Sequence, residues 1–193
     1  MSTLPERHLA RSPLIGPAEL AQYGALPDPE PHSEPELAAL IGLLTAPGRR
    51  KDRIETVSIG HARCAPCRAA AQAFGAAWTA RDGVVLTVVD WPETAASWLR
   101  PAVRLTEGAP DAWVIAAAPL GFAQLARRLR RSTDWDPART YAFAGLGDSR
   151  LPALTGPETL HGLRGAARDG GTWEMRRGWV TTRPPAGAPP WER

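Results

Sequence analysis

Residues 54–80, IETVSIGHARCAPCRAAAQAFGAAWTA, constrain this chain more than any other stretch. Ile54, Val57 and Ile59 form a β-branched run that predicts a buried strand, closed by Gly60. Pro66 then suits the first turn of a helix, where a missing N–H removes no hydrogen bond. Ala70, Ala73, Phe74, Ala77 and Trp78 follow at the spacing of one apolar helix face. A strand that feeds a loop and then a helix N-terminus is where α/β proteins commonly bind or react. Both cysteines of the chain sit in that loop.

The same texture continues downstream. An apolar run at 84–89 predicts a strand buried on both faces. Asp90-Trp91-Pro92-Glu93 then opens a helix with Ala95, Trp98, Leu99 and Ala102 inward and a break at Pro101. A third strand is expected at 111–117, a helix with Phe122, Leu125, Ala126 and Leu129 inward, and a fourth strand at 140–144. A short helix at 151–154 and a weak strand at 160–167 complete the pattern. Strands alternating with helices predict an α/β fold of three layers, α/β/α, with a mostly parallel, flavodoxin-like sheet. Right-handed crossovers would gather the loops beginning at His61, Asp90, Ala118 and Gly145 at one sheet edge.

The flanks differ from this domain. Residues 1–53 carry prolines that interrupt nearly every element, and form a proline-rich arm with one short helix. That helix has Ser33 as N-cap, Pro35 and Glu36 in its first turn, and Leu37, Leu40, Ile41 and Leu44 as its stripe. Pro47-Gly48 should stop it, and PDPEP at 27–31 reads as extended arm or linker. The α/β domain spans 54–168, a short hairpin or extension 169–182, and a disordered tail 183–193.

Charge excludes some functions. The net charge of +3 rests almost wholly on arginine, without the clustered basic and aromatic residues of a nucleic-acid surface. The cluster Arg127, Arg128, Arg130 and Arg131 lies opposite an apolar stripe and reads as a solvated helix face. No secretory signal or membrane span is apparent, so a cytoplasmic location is expected. Gly145 to Ser149 lacks the lysine of a phosphate loop, and Asp148, Ser149 and His161 lack a nucleophile elbow.

The Cys64-Ala65-Pro66-Cys67 spacing admits three readings: a redox pair, half of a metal site, or two small buried residues. A helix start would stabilise a Cys64 thiolate, with Arg63 and Arg68 adding positive charge. A zinc site would have to recruit His61 and a distant ligand, so no metal and no cofactor is expected.

Two resemblances follow from these motifs. The strand, RCAPCR, helix and VVLTVVD strand over about residues 54–90 resemble thioredoxin-like proteins. That resemblance implies a dithiol–disulfide oxidoreductase, with Cys64 as nucleophile, Cys67 as resolving thiol and Pro110 as a cis-proline facing them. The longer run from 54 to about 167 resembles the C-terminal lobe of type 1 periplasmic binding proteins, the branched-chain amino-acid receptors of ABC transporters. It is carried by TVSIGH, DGVVLTVVDWP, APDAWVIAA, the WDP loop, TYAFAG and LTGPETLHGLRGA, in that order. This second resemblance implies a non-enzymatic module that binds a small polar ligand at the edge defined by His61, Asp90, Trp91 and Asp148. A partner chain completing the site is the other expectation. The direction of the 111–117 strand separates the two: parallel to the first strand for the lobe, antiparallel for the thioredoxin-like arrangement.

Overall fold

A computed structural model describes residues 14–46, 53–185 and 187. The expected helix stop at Pro47-Gly48 and most of the C-terminal tail lie outside the described residues. Among the described residues seven strands form one sheet in the order β2-β1-β3-β4-β5-β6-β7, with β1 at Thr56–Ala62, β2 at Val84–Trp91, β3 at Ala112–Ala116, β4 at Thr140–Ala142, β5 at Arg164–Ala166, β6 at Thr172–Arg176 and β7 at Trp179–Arg183. The first five in that row are parallel, and β6 and β7 add an antiparallel hairpin at one edge. β3 pairs with β1 from Val57↔Ala112 to His61↔Ala116, parallel as the lobe resemblance requires.

Helices cover both faces. Of the helices α1 (Pro17–Leu20), α2 (Glu34–Thr45), α3 (Ala65–Thr79), α4 (Leu99–Thr106), α5 (Pro119–Ser132) and α6 (Arg150–Thr155), α2 and α3 pack together on one side. α4, α5 and α6 pack in series on the other. The three-layer α/β/α architecture is therefore as the sequence pattern predicts. Among the described residues no helix is long and apolar enough to cross a membrane.

Several local expectations are corrected. Gly60 does not end β1, which continues to Ala62; a Cβ on Gly60 would lie 2.7 Å from the Trp91 ring, so glycine is there to admit the indole. β2 likewise runs through Asp90 and Trp91, and no helix opens at 90–93. Helix α4 starts at Leu99, which places Pro101 in its first turn, where proline breaks no ladder bond, rather than at a kink. The strand expected at 160–167 contracts to Arg164–Ala166, and Arg183, assigned to the tail, closes β7. Arg127 is the plainest departure: only 5% exposed, it leaves the solvated face expected for its cluster. Its guanidinium donates to the Leu154 carbonyl and to Glu19, and at 3.4 Å to the Leu14 carbonyl.

That last contact explains the arm. Residues 14–33 are extended over much of their length, as the prolines dictate, yet they are pinned as a strap along the domain. Arg150, itself held by Asp148 at 2.6 Å, donates to the Ala25 carbonyl at 2.6 Å. Arg168 donates to the Pro31 carbonyl and pairs with Glu30 at 3.2 Å. Arginines from α5, α6 and the turn after β5 thus satisfy strap carbonyls that have no strand beside them. α2 then follows with Ser33 as the expected N-cap; the Glu36 side chain reaches back to complete a capping box, and the helix buries Leu40, Ile41 and Leu44.

Candidate functional site

The strand order sets the site. The chain leaves β1 leftwards through α3 to β2 and leaves β3 rightwards through α5 to β4, so connections diverge between β1 and β3. Such a reversal opens a crevice beyond the C-terminal ends of the strands. A crevice of about 190 Å³ lies there. Its floor is Ala116 and Ala117 at the end of β3 with Phe143, Ala144 and Gly145 after β4. One wall is the first turn of α3, with Pro66, Cys67 and Ala70. The strap residues 27–30 and His32 close over it, together with Glu36 and Arg168.

The polar groups around the crevice differ in their commitments. Glu36, 2% exposed, spends one carboxylate oxygen on its own helix cap and the other on the Ala144 N–H at 2.6 Å. Arg168 is occupied by Glu30 and Pro31. His32 is different: its ring stands edge-on to Phe143 at 6.0 Å, and among the described residues its buried Nδ1 has no hydrogen-bond partner. A buried polar atom without a partner carries a penalty of about 1–3 kcal/mol that a bound ligand would relieve.

At the α3 wall, Cys64 is the N-cap residue and accepts the Cys67 N–H at 3.2 Å on its sulfur. The two cysteines are joined as a disulfide, with Cα atoms 5.4 Å apart. Pro110 precedes β3 at the N-terminal edge of the sheet, whereas Cys64 follows β1 at the C-terminal edge. The whole β1–β3 ladder lies between them, and Pro110 is trans, since no described residue has a cis peptide bond. The expectation that Pro110 faces the cysteines is therefore corrected, because a parallel strand puts its start at the far end. Among the described residues no group of three or more His, Cys, Asp or Glu side chains is arranged to hold a metal ion.

The four residues expected to bind ligand divide into a group and an outlier. His61 and Asp90 are register partners on β1 and β2, with Trp91 next along. His61 is buried and its Nδ1 donates to the Ala62 carbonyl at 2.8 Å. Asp90 accepts from Arg63 Nε at 2.7 Å; that bond, opposed by partial burial and aided by the Arg63 and His61 charges, holds its carboxyl below the usual range. Trp91 is fully buried over Gly60, yet it also lines a second groove with Arg63, Trp98, Arg100 and Arg104. Asp148 stands apart, its pKa lowered by the Arg150 guanidinium it accepts from, and serves the strap. His32, Glu36, Phe143 and Arg168 were not singled out by the sequence. Only the Ser33–Glu36 capping spacing hinted at one of them, and it predicts a cap, not a burial site.

No protein-family description matches this sequence, and neither does any curated protein. Solved structures do match, and they share its fold. A putative branched-chain amino acid ABC transporter protein from Rhodospirillum rubrum aligns at a TM-score of 0.56 and 21% identity, over 68% of this chain and 36% of its own. A substrate-binding periplasmic protein from Ralstonia solanacearum aligns at 0.58 and 15% identity, over 71% and 37%. A solute binding protein of an ABC transporter from Rhodopseudomonas palustris BisB5, solved with 3,4-dihydroxybenzoic acid, aligns at 0.55 and 14%, over 68% and 35%. The fold is thus that of a lobe of type 1 periplasmic binding proteins. The matched region covers little more than a third of the length of these structures.

Proposed function

We propose that this chain is a non-enzymatic small-ligand-binding module built on one such lobe, with its ligand in the crevice between the β3 and β4 ends and the strap. The unpartnered Nδ1 of His32 carries the reading, because it places an unmet hydrogen-bonding need at the topological switch point. The ligand is small and polar with a flat or compact apolar part, matched to Phe143 below His32 and to the alanine floor. Asp90 and Trp91 line the second groove on the β2 side, with His61 the register partner of Asp90, and Asp148 acts through Arg150 on the strap. A partner chain against the strand ends would complete the enclosure, as the second lobe does in a two-lobed protein.

The test is a thermal-shift and calorimetric screen with amino acids, small amides and hydroxylated benzoic acids. A ligand at a hundred times its dissociation constant should stabilise the fold by about 2.7 kcal/mol. His32→Ala should weaken that ligand about tenfold, the worth of one hydrogen bond, without lowering the melting temperature of the free protein. Absence of any shift at millimolar concentrations across the panel defeats the proposal.

A further inference from the structure

We propose that Cys64 and Cys67 are a reversible dithiol–disulfide couple that exchanges with an anionic small-molecule thiol. This is independent of the crevice ligand. The pair is asymmetric: Cys64 is half-buried at the mouth of the β1–α3 loop, whereas Cys67 is 4% exposed behind it. An incoming thiolate therefore reaches the Cys64 sulfur first. It forms a mixed disulfide there and expels Cys67, which takes up a proton. A second thiolate attacks the small-molecule sulfur and expels Cys64 as a thiolate. Overall, one protein disulfide and two thiols give one protein dithiol and one small-molecule disulfide, the two electrons coming from the thiols.

Two features favour the second step. Cys64 is the N-cap of a helix of fifteen residues, and the Cys67 N–H points at its sulfur from 3.2 Å. Both stabilise a thiolate at Cys64, and a better leaving thiolate departs faster. The surroundings select the charge of the reagent. Arg63 flanks the loop, fixed by Asp90, and shares the second groove with Arg100 and Arg104; Arg68 lies on the first turn of α3. Among the described residues Arg100 and Arg104 have no carboxylate at ion-pair distance. The acidic residues Asp28, Glu30 and Glu36 line the crevice with Cys67, and of these Glu30 and Glu36 are already engaged. A thiol bearing a carboxylate is drawn to this side of Cys64, and a cationic one is repelled.

The full chain, oxidised and native, would be treated with reduced glutathione, 2-mercaptoethanol or cysteamine, then alkylated and weighed by mass spectrometry. Reduction is expected without denaturant, with glutathione about tenfold faster than cysteamine per thiolate at low salt. The gap should collapse in about 0.5 M salt, where exposed charges are screened. Arg100→Ala with Arg104→Ala should narrow it at low salt while leaving the 2-mercaptoethanol rate unchanged. Cys67→Ser incubated with oxidised glutathione should hold a stable adduct at Cys64, and Cys64→Ser should hold none. A disulfide that yields only in denaturant, or thiols that stay reduced in oxidised glutathione, overturns the couple. Equal rates for the three thiols overturn the preference for an anionic reagent.

Discussion

The Glu36 carboxylate accepts a hydrogen bond from the Ala144 backbone N–H at 2.6 Å, joining residues 108 apart in the chain. One oxygen closes the α2 capping box and the other fastens that helix to the turn after β4. Glu36→Ala should therefore cost more than an ordinary cap. About 1 kcal/mol is expected for the cap and about 1.5–3 kcal/mol for the buried bond to a charged acceptor. Glu36→Gln keeps one acceptor and should lose about half as much. Urea unfolding of the two variants measures this; equal and small losses would mean the Ala144 contact contributes nothing.

Two glycines should respond to alanine with opposite signs. Gly75 lies inside α3, and a Cβ there meets only Ile59 Cδ1 at an ordinary 3.5 Å. Gly75→Ala should stabilise by about 0.5–1 kcal/mol, because the helix then loses less backbone entropy. Gly165 lies in β5, where a Cβ would stand 2.2 Å from the Ala142 carbonyl oxygen and 2.2 Å from the Trp173 ring. Backbone cannot step aside as a flexible side chain can. Gly165→Ala should destabilise by about 3 kcal/mol or more, at the upper end of overpacking, and the melting temperatures should move apart accordingly.

Acid and neutral pH should probe different carboxylates. Burial tends to raise the Asp111 pKa, but N–H donation from Thr56 and Glu55, the Thr56 hydroxyl and the Arg139 charge together lower it. Its folded pKa being below the unfolded one, it adds stability above about pH 4 that is lost as pH falls further. Glu93 is the reverse: burial raises it, only partly offset by the Gly121 N–H, and its Oε1 is buried without a partner among the described residues. Stability should then fall as pH rises from the ordinary glutamate value of 4.5 through the raised one. Denaturant titrations across pH should find Asp111→Asn flatter on the acid side and Glu93→Gln flatter on the rising side.

The strap offers a dynamic test. Arg168 holds Glu30 and the Pro31 carbonyl, and its own carbonyl accepts the Ser33 hydroxyl at 2.5 Å. Arg168→Ala removes the first two contacts and leaves the third, so residues 27–32 should open locally while the sheet stays folded. Amide exchange in α2, beyond the strap, should change little, and protease cleavage within the strap should quicken several-fold. Unchanged cleavage would show that proline stiffness alone holds the roof.

Sequence patterns were most informative where the physics is local. Ser33 and Glu36 stand three apart and form the predicted cap; Cys64 and Cys67 stand three apart and meet at the predicted helix start. The α/β alternation was legible because each strand and helix carries its own apolar period. Less visible was the fate of Arg127, which sits in a run of arginines that reads as solvent-facing but is buried by a segment more than a hundred residues away. The packing of Trp91 was equally hidden: Gly60 on the neighbouring strand makes room for its ring in the core, which its place after an apolar run does not reveal.

The sequence by itself determined the alternation of strands and helices and the Ser33 cap, since those depend on residues within one or two turns of each other. Tertiary structure decided which of them form the site. The reversal between β1 and β3 put Cys67, Ala117 and Phe143 around one crevice, and the strap carried His32 over it. Convergence of that kind depends on strand order and on arginine-to-carbonyl contacts across the chain. These are pairings between distant residues, and they leave no periodicity in the sequence to be read.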